Sequence, residues 1–303
     1  MTYMTKASNQ SISKASYLKN DATQGFTEYL TELINGASIV HSFTIRDKKL
    51  PKNDPRTKSK TFTMDSLEAA FNGYWWDKEG YEVNAQKLDT VQKIVRSAMN
   101  VTSDAKANPE ALRALREVLK WGAGGTGQKL YTANEKWAIN QANCLANSLR
   151  MGCSEMSSDT PNLQVFKPSK ASTYARMNAG FTKYYALACD DVIIYDGRVG
   201  AALGLLAKEF CKKHKLKDLP ESLAFRWGNQ SGTNPLNRNP SDGVYVFSKL
   251  PAEGVAWAEW NIKANWILRT ALESSDAQWC AGSDGLRRIE AALFVTGYAI
   301  PKT

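Results

Sequence analysis

Apolar residues recur at helical spacing along most of the chain. Positions 67, 70, 71 and 74, then 88, 91, 94, 95 and 98, then 286, 289, 293, 294 and 298 each mark one face of a 3.6-residue repeat. The pattern predicts helices over 28–34, 88–99, 108–119, 133–149, 174–187, 198–215, 257–272 and 285–298. Asn35 and Gly36 close the first of these, and Asn108 caps the third with Pro109 at its first position. Between them lie a Ser/Thr/Asn/Lys-rich arm over 1–24, loops over 46–60, 152–169 and 228–241, and one short apolar run, Val192 to Tyr195. No repeat of 20–50 residues is found, which disfavours solenoids and propellers. The expected fold is mainly α, with few short strands and long loops.

Composition narrows the class. With 303 residues and 43% hydrophobic positions the chain has ample core, and 39 Lys and Arg against 30 Asp and Glu give a net charge of +9. That excess favours a polyanionic partner such as nucleic acid or an acidic membrane surface, without naming a reaction. Seven of the basic residues crowd into 46–60 with two prolines, a segment that reads as an exposed loop, and as one able to touch phosphate. No apolar stretch approaches the roughly 20 residues needed to span a bilayer, and the polar N-terminus is followed by no signal-like run. A soluble, cytoplasmic protein is expected. Five scattered cysteines without a C-x-x-C pair suggest neither a disulfide framework, nor a zinc ribbon, nor an iron–sulfur site, so no metal and no cofactor is expected.

Gly122-Ala123-Gly124-Gly125-Thr126-Gly127 satisfies G-x-G-x-x-G, but a helix precedes it where a dinucleotide fold needs a strand, so it reads as a turn between helices. The two histidines, His41 and His214, sit in an apolar context and in a lysine run, which leaves little material for histidine-based catalysis. Chemistry then falls to Lys, Asp, Glu, Tyr or Asn. In the segment from Arg176 to Val199, a turn at Gly180 delivers Lys183 to the first turn of an apolar helix, and Asp196 ends the run Val192 to Tyr195. A lysine at a helix N-terminus opposes the dipole, which lowers its pKa and makes it a candidate nucleophile. Asp196 stands where a helix N-cap would, a structural role that competes with a catalytic one.

This segment resembles the catalytic region of the helix-hairpin-helix DNA glycosylases, especially the 8-oxoguanine branch. Thr182-Lys183 matches the hairpin end with its lysine, and Val192-Ile193-Ile194-Tyr195-Asp196 matches the segment that presents the aspartate. Ile194 to Val199, Arg238-Asn239-Pro240 and Leu286 to Phe294 extend the likeness to bacterial proteins with an 8-oxoguanine glycosylase-like fold. The chain departs from the usual hairpin by placing Asn178, Ala179 and Phe181 where Pro, Gly and Gly are expected.

The resemblance implies a glycosylase-like helical architecture, with a 25–165 helical region and a 166–303 region carrying the hairpin, packed as one enzyme around a cleft. It implies a double-stranded DNA partner and excision of a damaged or modified base, either with Lys183 as nucleophile and Asp196 stabilising charge on the sugar, or with Asp196 orienting a water so that only an abasic site is left. Expected DNA contacts are Gly180, Thr182, Arg198, Arg238, Lys48, Lys49 and Arg56; the expected base pocket is Trp227, Asn229, Tyr195 and Trp257, with Trp75, Trp76 and Trp260 as further aromatic candidates. A monomer away from membranes is expected. The rival readings are a non-catalytic DNA-binding protein that keeps the fold, and a helical interaction protein whose basicity is incidental.

Overall fold

The computed structural model describes residues 12–301, apart from 47–49, 125–127, 142, 170–172 and 231–234. The chain runs α1 (Lys14–Leu18), α2 (Asp21–Ile34), β1 (His41–Thr44), α3 (Arg56–Ser59), β2 (Thr61–Met64), α4 (Leu67–Asn72), α5 (Tyr81–Met99), α6 (Asp104–Ala123), α7 (Gln128–Asn140), α8 (Leu145–Met156), α9 (Phe181–Ala188), α10 (Gly197–Lys213), α11 (Val255–Glu273) and α12 (Gly285–Thr296). It is mainly helical, as the periodicity predicts. Among the described residues, no helix is long and apolar enough to cross a membrane.

Helices α10 and α11 form the centre. Both are apolar around most of their circumference, the signature of a helix covered on all sides. Helix α10 packs on α2 and α12, and α11 on α1, α2 and α12. Elements from the first half therefore close over helices from the second, and α4 against α12 and α6 against α9 repeat the same interleaving. The strands β1 and β2 pair antiparallel with Phe43 opposite Phe62, and Phe43 also meets Tyr298 at 5.2 Å between ring centres. The buried His41 Nε2 pairs with the Ala299 carbonyl at 3.0 Å, and burial lowers its pKa, which gives this histidine a structural role.

Four boundaries differ from the periodicity. The described part of the 1–24 arm is not loose, because Ser13 and Asn20 cap α1 and α2. Helix α6 begins four residues before Asn108 and carries Pro109 in its second turn. The Asn108 side chain instead accepts from Ala146 N at 2.9 Å, capping α8, and this separate N-terminus splits the expected 133–149 helix into α7 and α8. Residues 173–177 are extended and held by hydrogen bonds to Val165 and Gly254, so α9 starts at Phe181 and no helix covers 174–180. Cys153 and Cys189 are joined by a disulfide between α8 and the end of α9, a pairing across 36 residues that their scattered spacing did not signal. Of the glycine cluster, Gly122 and Ala123 belong to the last turn of α6 and Gly124 closes that helix in the left-handed region at φ +50°, while 125–127 lie outside the described residues.

Candidate active site around Lys183 and Asp196

Where the usual hairpin has proline, this chain has Asn178, and that residue starts α9. Its Oδ1 accepts from Gly180 N at 2.9 Å and Phe181 N at 3.2 Å, while its Nδ2 donates to Asn134 Oδ1 of α7 at 2.9 Å. Lys183 is thereby held in the first turn of α9, and its Nζ donates to the Ala179 carbonyl at 2.7 Å. The end of α6 lies directly over this side chain. A Cβ on Gly122 would fall 2.6 Å from Lys183 Cδ, so only glycine permits the approach. Burial pulls the Lys183 pKa below that of an ordinary lysine; Asp196 and Glu290 lie close enough to oppose the shift, and Arg198 adds to it.

Asp196 reaches the same place through an extended buried segment with no strand partner. An isolated strand of this kind must satisfy its backbone from side chains. Ile193 N donates to Asn265 Oδ1 at 3.1 Å, Ile194 N to Glu290 Oε2 at 2.7 Å and Tyr195 N to Thr182 Oγ1 at 2.8 Å. In return the Ile193 carbonyl accepts from Asn261 Nδ2 at 3.2 Å and the Tyr195 carbonyl from Trp257 Nε1 at 2.9 Å. The bond from Tyr195 to Thr182 joins the residues immediately before Asp196 and Lys183, so one hydroxyl fixes the spacing of the pair. Asp196 then caps α10, its Oδ1 accepting from Arg198 N at 2.8 Å and Val199 N at 3.1 Å. Capping uses one carboxylate oxygen, and the charge remains felt at Lys183.

Glu290 of α12 also acts on Lys183, a role the sequence reading did not give it. It is buried; burial pushes its carboxyl pKa up, and Arg287, whose Nη1 lies 2.9 Å away, pulls it back. Arg287 also donates from Nη2 to the Ala186 carbonyl at 3.0 Å, tying α12 to α9. A glutamate in the apolar run of α12, and Asn261 and Asn265 one turn apart on apolar α11, were the signals that could have marked these residues in advance.

Lys183 feels the charge of Asp196, and the residues before the two, Thr182 and Tyr195, are hydrogen-bonded to each other; most of the other expected site residues serve the scaffold. Thr182 is fully buried, its hydroxyl donating to Asn261 Oδ1 at 2.7 Å, and Gly180 is buried against Asn134, so neither faces a phosphate. Arg198 is buried with its guanidinium 4.1 Å from the Phe294 ring centre and 4.9 Å from that of Tyr298. Arg238 is buried too, donates to the Tyr298 carbonyl at 3.4 Å, and is pulled down to about 10 by burial. Arg56 spends its donors on Asp54, at 2.8 and 2.6 Å, and on the Gly73 carbonyl at 2.6 Å. Lys48 and Lys49 lie outside the described residues. Tyr195, Trp227 and Trp257 are core residues whose polar atoms bond to the Arg226, Phe247 and Tyr195 carbonyls, while Asn229 alone of the expected pocket is exposed.

Replacing Thr182 by valine keeps the shape and removes both bonds. The buried Tyr195 N–H is left without its acceptor, and the expected cost is about 1–3 kcal/mol in urea unfolding. An unchanged unfolding midpoint would contradict the linking role of this hydroxyl.

The chain matches no protein-family model, no curated protein and no solved structure.

Proposed function

We propose that the protein is a DNA N-glycosylase that removes a damaged or modified base. The observation that carries this reading is a buried lysine with lowered proton affinity in the first turn of a helix, which feels the charge of Asp196 and whose neighbour Thr182 is hydrogen-bonded to the neighbour of Asp196, Tyr195. The resemblance of 176–199 to the glycosylases supports the same assignment. A base flipped from the duplex presents its C1′ to Lys183, at a cost of a few kcal/mol that contacts in the pocket offset. The unprotonated amine attacks C1′, the glycosidic bond breaks and its electron pair leaves with the base, which takes up a proton. The lysine nitrogen sheds its proton to Asp196 or water, and opening of the sugar ring leaves an imine that allows strand scission by β-elimination. Asp196 stabilises the positive charge that develops on the sugar.

Two substrate classes fit the reading: an oxidised purine of the 8-oxoguanine kind, as in repair, and a bulky modified cytosine of the kind phages carry, which would make the activity antiviral. Full-length protein is to be incubated with duplexes carrying each base, with and without borohydride. A reduced covalent adduct is expected, and Asp196→Asn is expected to lower its rate about 10²–10³-fold, the effect of removing one preorganised charge. Asparagine caps a helix as well as aspartate, so folding is preserved in that variant. Neither an adduct nor abasic sites on either duplex would defeat the proposal.

A further inference from the structure

Residues from both halves of the chain form an aromatic cluster beside the charged site. Trp76 lies 6.2 Å from Trp121 and 5.7 Å from Phe294, and Tyr74 lies 5.9 Å from Phe294, between ring centres. All four are half-buried, whereas the adjacent Trp75 is core, packed on Tyr298. The cluster borders the charged site on every count available. Trp121 directly precedes Gly122, whose backbone rests on Lys183; Phe294 sits one turn beyond Glu290 and under the Arg198 guanidinium; and Tyr74 feels the charges of Glu290, Asp196, Arg198 and Arg287.

A second observation indicates what this surface takes. The Trp121 indole N–H is buried and has no acceptor among the described residues. A buried donor left unpaired is a costly state that an incoming acceptor relieves. The charges of Glu290, Arg198, Arg287 and Asp196 are felt at Tyr74, so the cluster lies against the charged site.

The geometry points to Tyr74, Trp76, Trp121 and Phe294 as the wall on which a planar heteroaromatic ring stacks, with a ring or carbonyl acceptor at its edge meeting the Trp121 N–H. This rests on the glycosylase reading, in which the ring is the base whose C1′ faces Lys183. Because stacking tolerates any flat ring, the wall accepts purines and pyrimidines alike, and the Trp121 donor selects for an acceptor on the edge it meets.

The test uses full-length Lys183→Gln protein, which cannot turn over, and fluorescent duplexes that differ at one position: 8-oxoguanine, hydroxymethylated cytosine, or a tetrahydrofuran residue with no base. Tighter binding to at least one base-bearing duplex than to the tetrahydrofuran duplex is expected. Trp76→Ala and Trp121→Ala are each expected to weaken the base-bearing complex about 10-fold or more and to change the tetrahydrofuran complex less than about 2-fold. Trp121→Phe, which keeps the ring and removes the N–H, is expected to fall between, and guards against a variant that fails to fold. Equal losses on all duplexes, no loss, or a parent protein that does not distinguish base from no base would overturn the wall. Borohydride trapping and abasic-site formation with wild-type protein are scored separately: base-dependent binding with neither an adduct nor abasic sites leaves the wall standing and removes the glycosylase reading.

Discussion

Lys183→Gln protein is expected to form no borohydride adduct and to release no base, a loss on the order of 10⁴–10⁶-fold, as when an enzyme nucleophile is removed. Glutamine fills nearly the same volume and donates to the Ala179 carbonyl as lysine does, so duplex binding and unfolding midpoint are expected to hold. That contrast separates the glycosylase from a DNA-binding protein that merely keeps the fold, since a binder would retain its full effect in this variant. The pH profile carries the same argument further. Burial lowers the Lys183 pKa, so the trapping rate is expected to rise and level off below 10.5, the ordinary lysine value. Asp196 holds the proton on; Asp196→Asn is therefore expected to move the rise to lower pH while reducing the plateau. A rise at or above the ordinary lysine value would show that the amine titrating in solution is not the one buried between α6 and α9.

The second large effect belongs to Glu290. Glu290→Ala removes the acceptor of Ile194 N and the partner of Arg287 together, leaving a buried amide and a buried guanidinium uncompensated. Breaking one side of such a buried pair costs about 3–5 kcal/mol, readable as a shift in urea midpoint. Glu290→Gln retains an oxygen for Ile194 N and is expected to lose far less. The two also differ in pH dependence. Burial raises the Glu290 pKa above 4.5, so the folded state holds this proton where the unfolded chain releases it. The stability from that group is full below the unfolded value and lost as pH rises through the folded one. Wild-type stability relative to Glu290→Gln is therefore expected to decline from about pH 4.5 upward. A constant difference across that range would mean the carboxyl is not in the apolar surroundings described.

The helical class and the helices α10, α11 and α12 were legible because each rests on a 3.6-residue repeat, and the placement of Lys183 and Asp196 at helix starts was legible from equally local pattern. The roles of Thr182, Arg198 and Arg56 were not. Each is a polar residue near a basic or glycine-rich segment, which reads as surface, and each is claimed by partners distant in sequence, such as Asn261 for Thr182 and Gly73 for Arg56. Periodicity cannot report that a side chain hydrogen-bonds across 79 residues. The tryptophans failed for a related reason. Trp227, beside the polar 228–241 loop, and Trp257 were expected in the base pocket, yet their indole N–H groups close backbone carbonyls in the core. Trp121, to which the sequence reading gave no role, directly precedes Gly122, whose lack of a side chain lets the end of α6 lie against Lys183 of α9.

The backbone from Ile193 to Tyr195 is pinned by α9, α11 and α12, through residues 13 to 96 positions away. Contacts of such long sequence separation form late in folding, after the entropy of closing those loops has been overcome. Until then Lys183 is an ordinary protonated lysine, distant from Asp196 and open to water. The lowered proton affinity of Lys183 depends on that burial, so under the proposed function any opening that frees Ile193 to Tyr195 is expected to silence the amine.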